Sequence, residues 1–194
     1  LGIVLGTPLP LLPVHILWVN LVTDGLPALA LGFEPAERDI MQRPPRPRRE
    51  GLFADGLAWG VLGVGLLMAV CCFAVFAWML GREGPTELPG GNTVTYARTQ
   101  VFMVLSLSQL FYVLAVRSSS ESFFRQSLWS NYRLTGAVVV GIALQMAVIY
   151  TPFLQEFFHT VPLSAQDVAI GVLAALPAFV VVDAWKAIRR SRRE

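Results

Sequence analysis

The sequence predicts an all-α fold, a polytopic membrane helix bundle with about five full spans. Hydrophobic residues make up 55% of its 194 residues, charged residues only 14%, and the mean hydropathy is +0.59. This composition is too apolar for a water-soluble domain of the same length. The apolar residues also fall into runs long enough to cross a bilayer, separated by polar or proline-rich connections. Residues 1–194 are therefore expected to form one membrane domain that lies in the lipid bilayer.

The predicted spans lie near residues 14–33, 57–80, 96–116, 134–150 and 168–188. Ahead of the first span, Leu1 to Gly6 is interpreted as the end of a preceding one. Three prolines between Thr7 and Pro13 then predict a tight connection. The chain starts inside an apolar stretch and has no signal peptide before it, which indicates a fragment of a longer protein.

Small and polar residues distinguish the later spans. Gly60, Gly63 and Gly65 begin the second span at a spacing that usually allows helices to approach closely in lipid. The third span carries Gln109 and the fourth carries Gln145 near their middles, where an uncharged amide is tolerated if it finds a hydrogen-bond partner.

Basic residues lie almost entirely in alternate connections, which sets the predicted orientation. Thirteen of the 15 Lys and Arg residues follow the first span, flank the connection after the third, or form the C-terminal tail. They are Arg38, Arg43, Arg46, Arg48, Arg49, Arg117, Arg125, Arg133, Lys186, Arg189, Arg190, Arg192 and Arg193. The positive-inside rule then predicts a multi-pass membrane protein with a cytoplasmic C-terminus. The net charge of +2 is too small to suggest nucleic-acid binding.

Three oxygen-bearing side chains interrupt the middle of the first span: Asn20, Thr23 and Asp24. A carboxylate at mid-membrane costs roughly 2.5 to 3.5 kcal/mol and needs a partner, a water-lined cavity or a cation. Pro27 denies a helical hydrogen bond to the carbonyl of Thr23, and Gly25 eases unwinding, so a break in the helix is expected here. Hard oxygen donors suit calcium, magnesium or manganese. The alternative is a polar contact that only holds helices together.

The run PVHILWVNLVTDGLPALALGFEPAERDIMQRPPR, residues 13–46, resembles the sixth transmembrane segment and following cytoplasmic loop of P-type cation-transporting ATPases. The closest resemblance is to calcium pumps of the sarcoplasmic reticulum type. It implies that Asn20, Thr23 and Asp24 are cation ligands, with calcium as the transported ion. Sodium pumps usually carry Asp at the position of Asn20, which favours calcium. The rest of the chain resembles the C-terminal transmembrane domain of such a pump.

The resemblance also implies a fourth ligand, Gln109 in the run SLSQLFYVL, at the position of the eighth-segment ligand. Reticulum-type pumps have Glu there, whereas plasma-membrane calcium pumps have Gln. An amide oxygen can coordinate a cation but adds no charge. One bound ion is therefore expected rather than two.

The sequence lacks the DKTG phosphorylation motif, a P-loop and any nucleotide-binding region, so the catalytic cytoplasmic domains are expected to be absent and the chain inactive alone. ATP and magnesium would bind upstream domains of the same pump, which are the implied partners together with the lipid bilayer and the transported cation. Two alternatives remain open. One is a non-enzymatic membrane subunit or small transporter that keeps the ion site; the other is a pump for manganese, magnesium, sodium or protons.

Four further side chains carry simpler expectations. Gln145 is expected to pack between helices, and Asp183 to pair locally with Lys186, three residues on. His15 is expected at the membrane interface near the outer end of the first span. Glu34 is expected on the solvated face of the loop that follows it.

Overall fold

The computed structural model describes residues 6–34, 57–81, 92–117, 123 and 128–191. These residues form six helices and a short 3-10 turn, Leu128–Asn131. The helices are α1 (Pro13–Leu31), α2 (Leu57–Gly81), α3 (Thr93–Val116), α4 (Tyr132–Tyr150), α5 (Pro152–Phe158) and α6 (Ala165–Ser191). All but α5 contain a stretch long and apolar enough to cross a membrane, which confirms the predicted five-span helical fold. The preceding span expected for Leu1 to Gly6 lies almost wholly outside the described residues.

Two helices begin three residues before the expected spans, because polar capping residues precede them. Asn92 accepts a hydrogen bond from the backbone N–H of Thr95, 3.0 Å away, at the start of α3. At the start of α6, Ser164 accepts one from the N–H of Asp167 at 3.1 Å and donates to its carboxylate at 2.6 Å. Such caps satisfy backbone groups that a helix end leaves unpaired, so they extend the helix beyond its apolar residues.

Helix α3 is the centre of the bundle and packs against α1, α2, α4 and α6. Val75 and Phe76 of α2 pack on Val101 of α3. On the α1 side, Ala30 packs with Leu110 of α3 and with α4. Helix α3 packs most extensively against α6 and α2, and α1 lies against another side of α3.

The close helix approaches occur at glycines other than the predicted ones. A Cβ built on Gly171 of α6 would lie 2.1 Å from the Met103 methyl carbon, whereas one on Gly60 meets no described atom within 4 Å. Gly63 and Gly65 are equally open to the described residues. The expectation of close packing at the start of the second span is therefore wrong for the part of the chain described, and Gly171 provides the close contact instead.

We expect Gly171→Ala to lower the free energy of unfolding by about 1 to 3 kcal/mol, because the added methyl group overpacks the contact between α3 and α6. The matched control is Gly60→Ala, which adds the same methyl group on α2 without meeting a described neighbour. Thermal unfolding of both variants in one detergent measures the difference. Equal melting temperatures for the two variants would contradict the assignment.

His15 is buried inside the bundle near the start of α1, and its expected depth at the membrane interface stays a prediction. Its ring stacks on Phe102 with centroids 4.4 Å apart and planes inclined by 13°. Nε2 lies 2.7 Å from the carbonyl oxygen of Phe158, and Nδ1 accepts from the N–H of Leu12 at 3.3 Å. These contacts fix the imidazole with its proton on Nε2 and tie the start of α1 to α3 and α5.

The other expectations have mixed outcomes. Gln145 is buried and accepts a hydrogen bond from the indole N–H of Trp18 at 2.9 Å, as expected of a packing residue. Asp183 accepts from the backbone N–H of Phe123 at 2.7 Å, and Lys186 donates to the carbonyl of Ala115. Both charged groups of α6 therefore bind segments outside their own helix, and the local pairing of Asp183 with Lys186 stays a prediction.

Candidate cation site at mid-membrane

The middle of α1 is a widened turn. Residues Val19–Gly25 are π-helical, and Gly25 and Leu26 share φ −63° and ψ −49°, so the helix continues through the segment. In a π-turn each carbonyl accepts from the N–H five residues on instead of four, so the turn is wider than an α-helical one. The expected break is therefore replaced by a continuous helix of larger radius. A freed Thr23 carbonyl stays a prediction.

Three of the four predicted ligands lie together at this turn. The Thr23 hydroxyl is 2.8 Å from Gln109 Oε1 on α3 and 2.8 Å from the carbonyl oxygen of Val19. Gln109 Nε2 lies 3.4 Å from Asp24 Oδ2, a long contact for a hydrogen bond. Residues 85 and 86 positions apart in sequence are therefore neighbours at mid-membrane.

Burial separates the predicted ligands into two groups. The Thr23 residue is only 1% exposed, because its hydroxyl points between α1 and α3. Asp24 and Asn20 are exposed, and both lie on the side of α1 that the described helices leave uncovered. Asn20 has no hydrogen bond to the other three predicted ligands. The structure thus brings Asp24 to the edge of the Thr23–Gln109 contact and leaves Asn20 about one turn away.

The set of donors suits a hard cation but is incomplete. Among the described residues no group of three His, Cys, Asp or Glu side chains could hold a metal. Asp24 supplies the single carboxylate, and Asn20, Thr23 and Gln109 can add one neutral oxygen each. Calcium takes six to eight oxygen ligands. A calcium ion at this position would therefore need further ligands from groups that face the uncovered side of α1.

Hydrogen-bond accounting constrains the Gln109 amide. The Thr23 hydroxyl carries one proton and cannot donate to both Val19 O and Gln109 Oε1 at once. A half-turn of the amide resolves this, because Nε2 then donates to the hydroxyl, which donates to Val19. In that orientation Oε1 faces Asp24 and becomes available to a cation beside the carboxylate.

An ion pair between a buried arginine and a half-buried glutamate, which the sequence analysis missed, closes the end of α1. Glu34 Oε1 lies 2.7 Å from Nε of Arg117 at the end of α3, with side-chain exposures of 21% and 1%. Glu34 is therefore not on a solvated loop face. The two residues are 83 positions apart, so no local sequence pattern reveals the pair. The available signal was Arg117 directly after an apolar span, but the positive-inside rule already explained that arginine.

A family model described as "Cation transporting ATPase, C-terminus" matches residues 8–188. Over 182 residues the chain is 43% identical to a calcium-transporting ATPase of Bacillus subtilis (strain 168), an alignment that covers 93% of this chain and 19% of the relative. Over 202 residues it is 33% identical to the endoplasmic reticulum calcium ATPase srcA of Aspergillus fumigatus, covering 92% of this chain and 21% of the relative. The chain thus spans about a fifth of the length of these relatives.

Proposed function

Because the chain belongs to the C-terminal family of cation-transporting ATPases, we propose that it is the ion-binding and ion-translocating membrane part of an ATP-driven calcium pump. It is an integral, multi-pass membrane domain. The relatives named as calcium-transporting ATPases support calcium as the cargo. Their greater length supports a pump in which ATP and magnesium bind other parts of the protein.

The observation that carries the proposal is Asp24 at the widened turn of α1. A carboxylate at mid-membrane is costly unless it is compensated. Its described neighbour is the Gln109 amide, whose nearest atom lies 3.4 Å away and compensates the charge poorly in either orientation of the amide. The uncovered side of α1 leaves room for a cation and for the ligands that complete its shell. The alternative, in which Asp24 is protonated or paired with a segment outside this chain, would also leave it exposed here, and the calcium affinity of an Asp24→Asn pump distinguishes the two roles.

The proposed ligands divide the work. Asp24 provides the charge, and Asn20 adds an oxygen from the same side of α1. Gln109 turns its amide oxygen to the cation while Thr23 accepts from the amide nitrogen, so the Thr23–Gln109 contact orients a ligand. Phosphorylation of an upstream aspartate would alter the affinity and access of this site, and the bound ion would face the two sides of the membrane in turn.

The proposed orientation places the C-terminus in the cytoplasm. Glu34, Arg117 and Arg133 lie at one end of the bundle, since α1 and α3 end there and α4 begins there. Basic residues favour the cytoplasmic side. The C-terminal end of α6 belongs to the same end, because Lys186 donates to the Ala115 carbonyl near the end of α3.

We expect the complete pump to bind about one calcium ion per phosphorylation site, because Gln109 contributes no charge to support a second. Equilibrium counting with radioactive calcium, normalised to the phosphoenzyme formed from ATP, measures this number. Magnesium, manganese and sodium serve as competitors. Two tight equivalents would contradict the single site, and activation by another cation without calcium would contradict the assigned cargo.

A further inference from the structure

The end of α1 is held by a cluster of four side chains, Glu34, Arg117, Ser130 and Asn131, whose role the ion site does not explain. Both carboxylate oxygens of Glu34 are engaged: Oε1 accepts from Arg117 Nε at 2.7 Å, and Oε2 accepts from Asn131 Nδ2 at 2.7 Å. Arg117 also donates to the hydroxyl of Ser130. A carboxylate with this many directed partners has little freedom to move.

The cluster joins three helix ends. Asn131 Nδ2 also donates to the carbonyl of Ala30 in the last turn of α1, at 3.1 Å. Its Oδ1 accepts from the N–H of Leu134 at 3.0 Å and so caps the start of α4. Arg117 directly follows the end of α3. One network therefore fixes the end of α1 to the end of α3 and the beginning of α4.

Helices α1 and α3, which the ion pair joins, also carry the proposed ion site nearer their middles. From Asp24 to Glu34 is ten residues and from Gln109 to Arg117 is eight, or roughly 15 Å and 12 Å of helical rise. Hydrogen bonds from the N–H of Gly32, Phe33 and Glu34 continue the turn beyond α1, so Glu34 is coupled to the helix. Between the two sites Ala30 packs on Leu110. Helices α1 and α3 are thus joined at the ion site and again at the ion pair.

From this double connection we infer that Glu34 and Arg117 are positioning residues of the pump, which set the register of α1 against α3. They act through the helix: a slip of α1 by a fraction of a turn would carry Thr23 and Asp24 away from Gln109. An ion pair of this kind is weak evidence for stability, whereas fixing register is the best-attested use of polar groups held between helices. The inference rests on the proposed function, since it assigns the pair's effect to calcium binding.

The test uses the complete pump with Arg117→Lys. Lysine keeps the charge but has one ammonium group, so it cannot reproduce the planar fork that reaches both Glu34 and Ser130. We expect the half-saturating calcium concentration to rise about tenfold, in the range of couplings carried through packed helices. Maximal ATP turnover at saturating calcium and the melting temperature without calcium should stay close to those of the parent.

The matched control is Arg133→Lys. This arginine lies at the same end of the bundle, with its guanidinium carbon 4.1 Å from the centre of the Phe33 ring, but it is exposed. We expect its calcium affinity to match that of the parent. Should Arg117→Lys fail to fold, Glu34→Gln keeps the shape of the carboxylate, removes its charge and is expected to give a similar loss of affinity.

Parent-like calcium affinity in a folded Arg117→Lys or Glu34→Gln pump would overturn the inference. So would an equal loss in Arg133→Lys, or failure of both cluster variants to fold, since either result assigns the cluster to general stability. The proposed function is judged separately. If the parent pump shows no calcium-activated phosphorylation, that function fails, whereas an activated parent with an unaffected Arg117→Lys variant refutes only the positioning role.

Discussion

The variant Asp24→Asn of the complete pump is expected to lose calcium-activated phosphorylation by ATP. The change keeps the size of the side chain and one oxygen, but it removes the only carboxylate among the proposed ligands. Removing one partner of a desolvated charge pair costs about 2 to 5 kcal/mol, which corresponds to a calcium affinity about 30- to 4,000-fold weaker. Phosphoenzyme formation across a calcium titration measures the shift.

Glu156→Gln is the matched control for this experiment. It removes one carboxylate charge at an exposed position of α5, away from the middle of the membrane. Calcium activation should be unchanged in that variant. Binding of a fluorescent ATP analogue, which does not require the ion site, shows whether each variant is folded. Retained calcium affinity in a folded Asp24→Asn pump would refute the role assigned to Asp24.

The helices of this protein were predictable because a bilayer imposes one simple requirement. A span needs about 20 apolar residues, and the chain has five such runs. Helices α3 and α6 begin earlier than predicted because Asn92 and Ser164 cap them with hydrogen bonds to backbone N–H groups. A hydropathy pattern does not reveal such caps. The burial of His15 was not foreseen for a related reason, since hydropathy does not reveal that its ring stacks on Phe102.

The candidate site was only partly accessible to sequence reasoning. A carboxylate at mid-span with an asparagine four residues earlier points to function from position alone. The proximity of Gln109 to Asp24 came from family resemblance, because nothing in a pattern joins residues 85 positions apart. The widened turn was also missed. Proline predicts a lost hydrogen bond, but the sequence does not state whether the helix will break or take up the defect as a π-turn.

The ion pair between Glu34 and Arg117 is a second contact between distant residues that the sequence did not predict. In the sequence, Glu34 was interpreted as a charge on a solvated loop, and Arg117 was counted as one of the basic residues that indicate the cytoplasmic side. Each interpretation was reasonable for an isolated residue. Their partnership depends on α1 and α3 ending at the same level, which follows from the packing of Ala30 on Leu110 and from the Asn131 contacts. Long-range pairing is a property of the packed bundle.

We expect Gln109→Met in the complete pump to weaken calcium binding by about ten- to a hundredfold. Methionine has a similar length and remains compatible with the half-buried position, but it offers no amide oxygen to the cation and no N–H to Thr23. Hydrogen bonds to charged groups contribute about 1.5 to 3 kcal/mol, and we take a similar value for an oxygen that contacts a cation. Calcium-dependent phosphorylation gives the affinity, and melting without calcium gives the stability.

Gln145→Met provides a demanding comparison, because it removes an amide of the same kind from the membrane interior. Gln145 is buried on α4 and its oxygen accepts from Trp18, while Gln109 touches the proposed ligands directly. If Gln109 acts through coordination, only its replacement should shift the calcium titration. If both amides merely hold helices together, the two variants should weaken calcium binding alike or leave it alike. That outcome would remove Gln109 from the ligand set and leave Thr23 as a contact between α1 and α3.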